Sequence, residues 1–371
     1  MSYLTASNEK DLLKFISDKK IKRIFLLTGH NSFKKSGAYK LLNNTLKLKN
    51  VFYYFKESSY PVLDELKKII IQLDKYKPDL ILAVGGGSVI DYSKISNIFR
   101  SDIDLKKVII ESNNKNKGKK YKLAVVPTTA GSGAEVTANA VVYINNKKFS
   151  VEHENLKPNY YFLIPKLVFN AEKKIKASAG FDAISQSIES IISRKSNATS
   201  INYAKKSLEL SFRKFENYVN KPTIDNTFHM CVAANLSGKA ISITKTTAPH
   251  ALSYPFTAHF NISHGHAVSL TLNDFLKFNY NFKSRSNCNF NLSKRFEDIF
   301  KIAKVRNINE FDMYLSKLKK NTKLENNLGK LGINIRRDID KIISGININR
   351  LNNNPVKLNT SIIKTILLNK K

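Results

Sequence analysis

Leu80 to Asp91 reads LILAVGGGSVID, and this stretch decides the fold. Its first five residues are apolar and rich in branched side chains, the pattern of a buried strand, and a helical pattern begins as soon as the three glycines have passed. A strand that turns through glycine straight into a helix is the local unit of a parallel α/β sheet. Glycines also let the backbone approach an anion, and a helix N-terminus offers unpaired N–H groups to it. A pyrophosphate suits such a turn, with Gly86, Gly87, Ser88 and Asp91 as the candidate cofactor-binding residues. A tight turn with no ligand fits equally well, because the motif is not Gly-x-Gly-x-x-Gly.

The same texture extends in both directions. Upstream, Ile21 to Thr28 and Val51 to Phe55 read as strands, and Pro61 to Leu73 places Val62, Leu66, Ile69, Ile70 and Leu73 at helical spacing. Downstream, a strand at Leu123 to Val126 ends at Pro127, a β-rich patch covers Ala140 to Ile144, and Tyr160 to Val168 reads as a further strand. The turn Pro127 to Gly133, PTTAGSG, offers hydroxyls at Thr128, Thr129 and Ser132 beside glycine-exposed amides. Two such turns at the carboxyl ends of strands, where open α/β sheets bind ligands, favour a dinucleotide. From Ala171 onward the patterns are helical and long: Ala179 to Ser193, Ser200 to Tyr218, Thr227 to Ile243 and several more. The expected organisation is an α/β dinucleotide-binding domain over residues 1–170 and an all-α domain over 171–371.

At 371 residues, with 42% hydrophobic residues, two ordered domains are affordable and a disordered chain is excluded. The net charge is +33, yet lysine pairs such as Lys19-Lys20, Lys119-Lys120 and Lys319-Lys320 are spread along the whole chain. Charge must be localised before it signals a partner, so no nucleic acid is expected. Cys231 and Cys288 form no Cys-x-x-Cys pair, which fits a reducing compartment. The polar stretch Met1 to Lys10 and the lack of a long apolar run add the expectation of a cytoplasmic protein without a membrane segment.

The helical half holds Asp182 near the start of one pattern, with His250 and His264 flanking a proline-containing stretch. One carboxylate and two imidazoles suit a divalent ion such as iron or zinc. Histidines placed by chance or by packing explain the same residues, since the spacing matches no zinc finger.

Taken together, GGGSVID (85–91), PTTAGSGAEVT (127–137), AGFDAISQSIES (179–190) and TTAPHALSYPFTAHFNISHGHAV (246–268) resemble, in order, the signatures of the iron-containing (group III) alcohol dehydrogenases. Within that family the wording of the last two is most similar to phosphonoacetaldehyde reductases. The resemblance implies NADH or NADPH and a divalent metal between an α/β and a helical domain. It places Asp182, His250 and His264 on three metal-ligand positions and Gln186 on the fourth, where the family usually has histidine. An amide oxygen is a poorer ligand for iron or zinc than imidazole. Tyr254 replaces another family histidine and either donates a proton or packs before Pro255.

The implied chemistry is hydride transfer from NAD(P)H to a small aldehyde, with phosphonoacetaldehyde as the specific candidate and Lys239 and Lys245 as head-group partners. A general alcohol dehydrogenase of the family and a dehydroquinate-synthase-like lyase are the alternatives. Assembly into a homo-oligomer is compatible with all three. NAD-preferring members commonly carry an acidic residue after the first strand, and here Gly29-His30-Asn31-Ser32 has none, with Lys34 and Lys35 behind it. NADPH is therefore expected to serve at least as well as NADH.

Overall fold

The strands of the first half are β1 (Thr5–Ala6), β2 (Arg23–Gly29), β3 (Asn50–Lys56), β4 (Leu80–Gly85), β5 (Lys122–Pro127), β6 (Asn139–Ile144), β7 (Lys147–Glu152) and β8 (Tyr160–Phe162). They are seen in a computed structural model that describes residues 5–6, 8–111, 118–145, 147–346 and 348–370. Of the polar stretch Met1 to Lys10, residues 1–4 and 7 lie outside the described residues. Contacts within the chain divide it into two compact units, Met1–Ala171 and Glu172–Lys371.

In the first unit six strands form one sheet in the order β1-β8-β5-β4-β2-β3, every pair parallel. Every residue of β4 is buried, as expected of a central parallel strand covered on both faces. Because side chains alternate across a strand, Phe25, Leu27, Ile81, Ala83, Leu123 and Val125 enter one core while Ile24, Leu26, Leu82, Val84, Ala124 and Val126 enter the other. The helix Leu63–Tyr76 covers the first of these faces with Leu66, Ile69, Ile70 and Leu73, as its spacing predicts.

One local expectation changes, and a second element takes its place outside the main sheet. The strand expected at Tyr160 to Val168 stops at Phe162, and Pro165 opens a short helix, Pro165–Phe169. Proline has no N–H for a sheet ladder but is well suited to the first turn of a helix. The patch at Ala140 to Ile144 belongs to β6, which pairs antiparallel with β7 as a separate hairpin rather than joining the main sheet.

The second unit is helical among its described residues, apart from one isolated bridge between Ser286 and Val356. Helix Lys173–Ile192 packs with Ala198–Asn220 and Ile224–Thr244. The last two begin in capping boxes, Asn197 with Ser200 and Thr223 with Asn226, which satisfy the first free N–H groups. Small side chains let the three helices approach: Ser187 Oγ lies 2.8 Å from Ser207 Oγ, and the latter donates to the Ala233 carbonyl at 2.8 Å. Helices Ala248–Phe260 and His264–Asn281 share an apolar cluster, including Leu252, Phe256, Leu270 and Phe275, with the C-terminal residues Ile342, Ile363 and Leu367. This cluster fixes the two helices that carry His250 and His264. Among the described residues no helix is long and apolar enough to cross a membrane.

Candidate active site

The chain runs outward from β2 to β3 and then returns past β2 to β4, so crossover direction reverses between β2 and β4. Ligands of open α/β sheets bind outside the carboxyl ends of the strands at such a point. There Gly86 caps the ten-residue helix Gly87–Ser96. Gly85 and Pro127 are register partners, so the second turn begins level with the first, and Thr128 N donates to the Gly85 carbonyl at 3.0 Å. The two turns are in close contact. A Cβ on Gly87 would stand 2.9 Å from Ser132 Oγ, and one on Gly86 would stand 3.3 Å from Thr129 Oγ1. Gly86, Gly87, Ser88, Thr128, Thr129 and Ser132 are thereby brought to one place.

Asp91 has a different environment. Its Oδ2 accepts the Val141 N–H at 3.2 Å, tying the hairpin to the helix, and burial pushes its carboxyl up to about 6 against the pull of Lys94. Lys94 itself was not visible as a functional residue in the sequence. It is fully buried, and its ammonium donates to the Ala134 and Asn139 carbonyls at 2.7 Å and to Thr137 Oγ1 at 2.9 Å. Those acceptors lie just beyond the second turn, so Lys94 anchors it. The available signal was a lysine three positions after Asp91, the one basic residue of its helix.

A cavity of about 480 Å³ opens at the ends of β2 and β3, lined by Gly29, His30, Asn31, Ser32, Phe55, Lys56 and Glu57. The turn after β2 lacks a carboxylate, as its sequence says, but Glu57 supplies one from the neighbouring strand end.

In the second unit, Asp182, Gln186 and Glu189 lie at i, i+4 and i+7 on helix Lys173–Ile192 and therefore share a face. His250 stands in the first turn of Ala248–Phe260, and His264 opens His264–Asn281. One ligand atom from each of Asp182, His250 and His264 falls within 4.8 Å of the others. His250 Nε2 is 3.2 Å and His264 Nε2 is 4.0 Å from Asp182 Oδ1. Donors about 2.1 Å from a tetrahedral ion are roughly 3.4 Å apart, so the three groups fit one divalent ion. Asp182 and His250 are buried, and the His264 side chain keeps 34% of its exposure, which leaves an open side. Burial pulls the His250 imidazolium down, but the Glu189 and Asp182 carboxylates outweigh it and hold it at about 9.

Gln186 joins this cluster through its nitrogen. Nε2 donates to Asp182 Oδ2 at 3.2 Å, while Oε1 accepts from Ser237 Oγ at 2.9 Å. A carboxylate has no proton to give, so the amide atom facing Asp182 must be the donor. Tyr254 is buried and stacks on the His264 ring, with centroids 6.2 Å apart and planes 19° from parallel. The two lysines expected at a head group are both half-buried. Lys239 follows Ser237 by two positions, about 200° round the helix, and its ammonium lies 5.9 Å from the centre of the Tyr203 ring. Lys245 terminates the same helix with a positive φ of 60°.

Glu189 is the residue that sequence reasoning missed here. Fully buried, its Oε1 accepts from Thr247 N at 2.9 Å and Thr247 Oγ1 at 2.8 Å, and its Oε2 meets His250 Nδ1.

Comparison with known proteins gives a consistent result. Residues 3–165 match the sequence model described as iron-containing alcohol dehydrogenase, and residues 176–370 match that of the C-terminal region of the Fe-containing alcohol dehydrogenase family. An aldehyde-alcohol dehydrogenase of Streptococcus pneumoniae is 23% identical over 287 residues, 73% of this chain and 32% of that protein. A phosphonoacetaldehyde reductase of Streptomyces viridochromogenes is 28% identical over 227 residues, 58% of this chain and 57% of that protein. The chain thus spans about a third and somewhat over half of the lengths of these curated relatives. The crystal structure of sulfoacetaldehyde reductase from Bifidobacterium kashiwanohense in complex with NAD+ shares the fold, with a TM-score of 0.86, 22% identity and coverage of 99% of this chain and 96% of that one.

Proposed function

The chain belongs to the iron-containing alcohol dehydrogenase family, whose members use NAD(P) and a metal, and from that premise we propose that it reduces a small aldehyde to the alcohol with NAD(P)H. The observation that carries this reading is the convergence of Asp182, His250 and His264 around one point with an open side at His264. Held there, an iron or zinc ion would supply Lewis-acid polarisation of an aldehyde carbonyl, and a bound nicotinamide would supply the hydride. Asp182, His250 and His264 hold the ion, and Gln186 steadies Asp182 from behind. Tyr254 stacks on the His264 ring, and its hydroxyl, which can give a proton, is the proposed acid that protonates the product oxygen. In the first unit, Gly86, Gly87, Ser88, Thr128, Thr129 and Ser132 receive the pyrophosphate on N–H groups and hydroxyls. Asp91 supports them through Val141.

For the substrate we propose a two-carbon aldehyde with an anionic head group, phosphonoacetaldehyde foremost, which would yield 2-hydroxyethylphosphonate. The relative named phosphonoacetaldehyde reductase, the motif wording at 179–190 and 246–268, and the half-buried Lys245 support this. A neutral-aldehyde dehydrogenase is the second reading, favoured by the turn of Lys239 toward Tyr203. An aldehyde panel assayed by NADH and NADPH oxidation, with and without added Fe²⁺ or Zn²⁺, separates the two. A charge-assisted bond to the head group is worth about 1.5 to 3 kcal/mol, so phosphonoacetaldehyde should exceed acetaldehyde in kcat/KM by at least about tenfold, and Lys245→Ala should narrow that gap. Equal efficiency on both aldehydes selects the second reading. No cofactor oxidation with any aldehyde, with either metal present, rejects both.

A further inference from the structure

Glu189 is a carboxylate buried to zero exposure within the helical unit. Its two oxygens have separate duties. Oε1 is occupied by the Thr247 backbone N–H and hydroxyl, and Oε2 faces His250 Nδ1. A backbone N–H can only donate, so Oε1 is fixed as an acceptor, and an ionised Oε2 can only accept as well. His250 Nδ1 must then carry a hydrogen. That leaves Nε2 as the nitrogen able to offer a lone pair, and Nε2 is the atom 3.2 Å from Asp182 Oδ1.

We propose that Glu189 is the positioning residue of the metal centre: it fixes His250 in the Nδ1-protonated form and aims Nε2 at the point shared with Asp182 and His264. The proposal rests on the reading of those three residues as metal ligands. Partners of this kind behind a ligating histidine set its tautomer and orientation, and losing one typically costs ten- to a hundredfold in metal affinity.

A glutamine at position 189 makes the idea testable, because it is nearly isosteric but cannot accept on both sides. The Thr247 N–H retains the amide oxygen, so the amide NH₂ faces His250 Nδ1. The imidazole must then accept at Nδ1 and carry its hydrogen on Nε2, the atom needed for the ion. Glu189→Asp keeps the carboxylate on a shorter stem.

The decisive measurement is Zn²⁺ affinity by chelator competition on the full chain, with ¹⁵N spectra of the histidine rings in the Zn²⁺-loaded protein and thermal melting as a check on folding. Glu189→Gln is expected to bind Zn²⁺ ten- to a hundredfold more weakly than wild type with a near-wild-type melt, and Glu189→Asp to weaken it less. Wild-type spectra should show hydrogen on His250 Nδ1 and zinc on Nε2. Affinity within twofold of wild type in the Gln variant, equal loss in the Gln and Asp variants, or zinc on Nδ1 in the wild type would overturn the proposal. Should the Gln variant not fold, the Asp variant and the wild-type spectra decide alone. Asp182→Ala and His264→Ala run in parallel distinguish the levels: undiminished zinc in both removes the metal centre itself, whereas undiminished zinc in Glu189→Gln alone removes only the role of Glu189.

Discussion

Gly265 lies so close to Asp182 that a Cβ built on the glycine would stand 2.8 Å from the aspartate Cβ and 2.0 Å from the Ser178 carbonyl oxygen. The contact is between two helices, and the near atom on Ser178 is backbone, which cannot rotate aside. Gly265 therefore sets the spacing that brings His264, its neighbour in sequence, to Asp182. Overpacking of this kind costs about 1 to 3 kcal/mol and more where backbone must move. Gly265→Ala is expected to lower the urea midpoint and to reduce bound metal in the fraction that folds. A variant with wild-type stability and metal content would show that the helices are not held at this distance.

The ligand set makes a second prediction. Asp182→Ala and His264→Ala each remove one of three converging donors, so both should lose metal and activity together. Gln186→His should preserve or strengthen binding, because the amide there donates to Asp182 rather than offering its oxygen, and an imidazole adds a nitrogen on the same helix face. Elemental analysis of the purified variants checks all three. Wild-type metal content in both alanine variants would remove the centre.

How legible these features are in sequence depends on whether they belong to a residue or to a pairing. The glycine turns are readable because a missing Cβ is local, and Asp182 with the two histidines because their chemistry is unusual in a helical segment. The contact of Gly87 with Ser132 is set by the register of β4 on β5, which no local pattern encodes. Glu189 sits in the quoted run SQSIES, but a glutamate on a helix is ordinarily solvated, and only the fold shows it buried against Thr247 and His250. Leu163, Ile164 and Leu167 suit a strand and a helix alike, and the strand reading of that segment failed at Pro165. Glu57 enters its cavity from β3 while the turn it faces follows β2, so reading either segment alone misses the pairing.

Lys319 predicts a pH dependence. It is 3% exposed, and its ammonium has only neutral acceptors, the Ser269 carbonyl and Asn326 Oδ1, both at 3.2 Å. Burial, reinforced by Lys370 and opposed by Asp274 and Asp312, lowers its pKa to about 7. The unfolded chain keeps the ordinary value near 10.4, so between about pH 7 and 10 the unfolded state binds more protons and stability from this group rises with pH. Below pH 7 the charged form is buried at a cost. Lys319→Met should therefore raise the melting temperature at pH 6 by about 2 to 6 °C, and the gain should shrink toward pH 10. Melts of both proteins across that range test it, and a difference independent of pH would mean the lysine titrates normally.

Cofactor choice is the last consequence, and here two parts of the cavity at the ends of β2 and β3 oppose each other. The turn Gly29 to Ser32 has no carboxylate and on its own is expected to favour NADPH at least as much as NADH. Glu57 lines the same cavity, at the end of the strand that follows β2, where a carboxylate of a dinucleotide fold accepts the ribose hydroxyls and repels an added 2′-phosphate. Lys56 lines it too, but its ammonium is turned to the Ser58 carbonyl and is drawn by Glu65, so it does not cancel Glu57. Glu57 is exposed, and solvent screens its charge, which limits the effect to roughly three- to tenfold. Glu57→Gln and Glu57→Ala are both expected to raise the NADPH-to-NADH ratio of kcat/KM by that factor, since each removes the charge. Fluorescence titration of both cofactors gives the same comparison without a substrate. A ratio unchanged within twofold in both variants would return cofactor choice to the Gly29 to Ser32 turn alone.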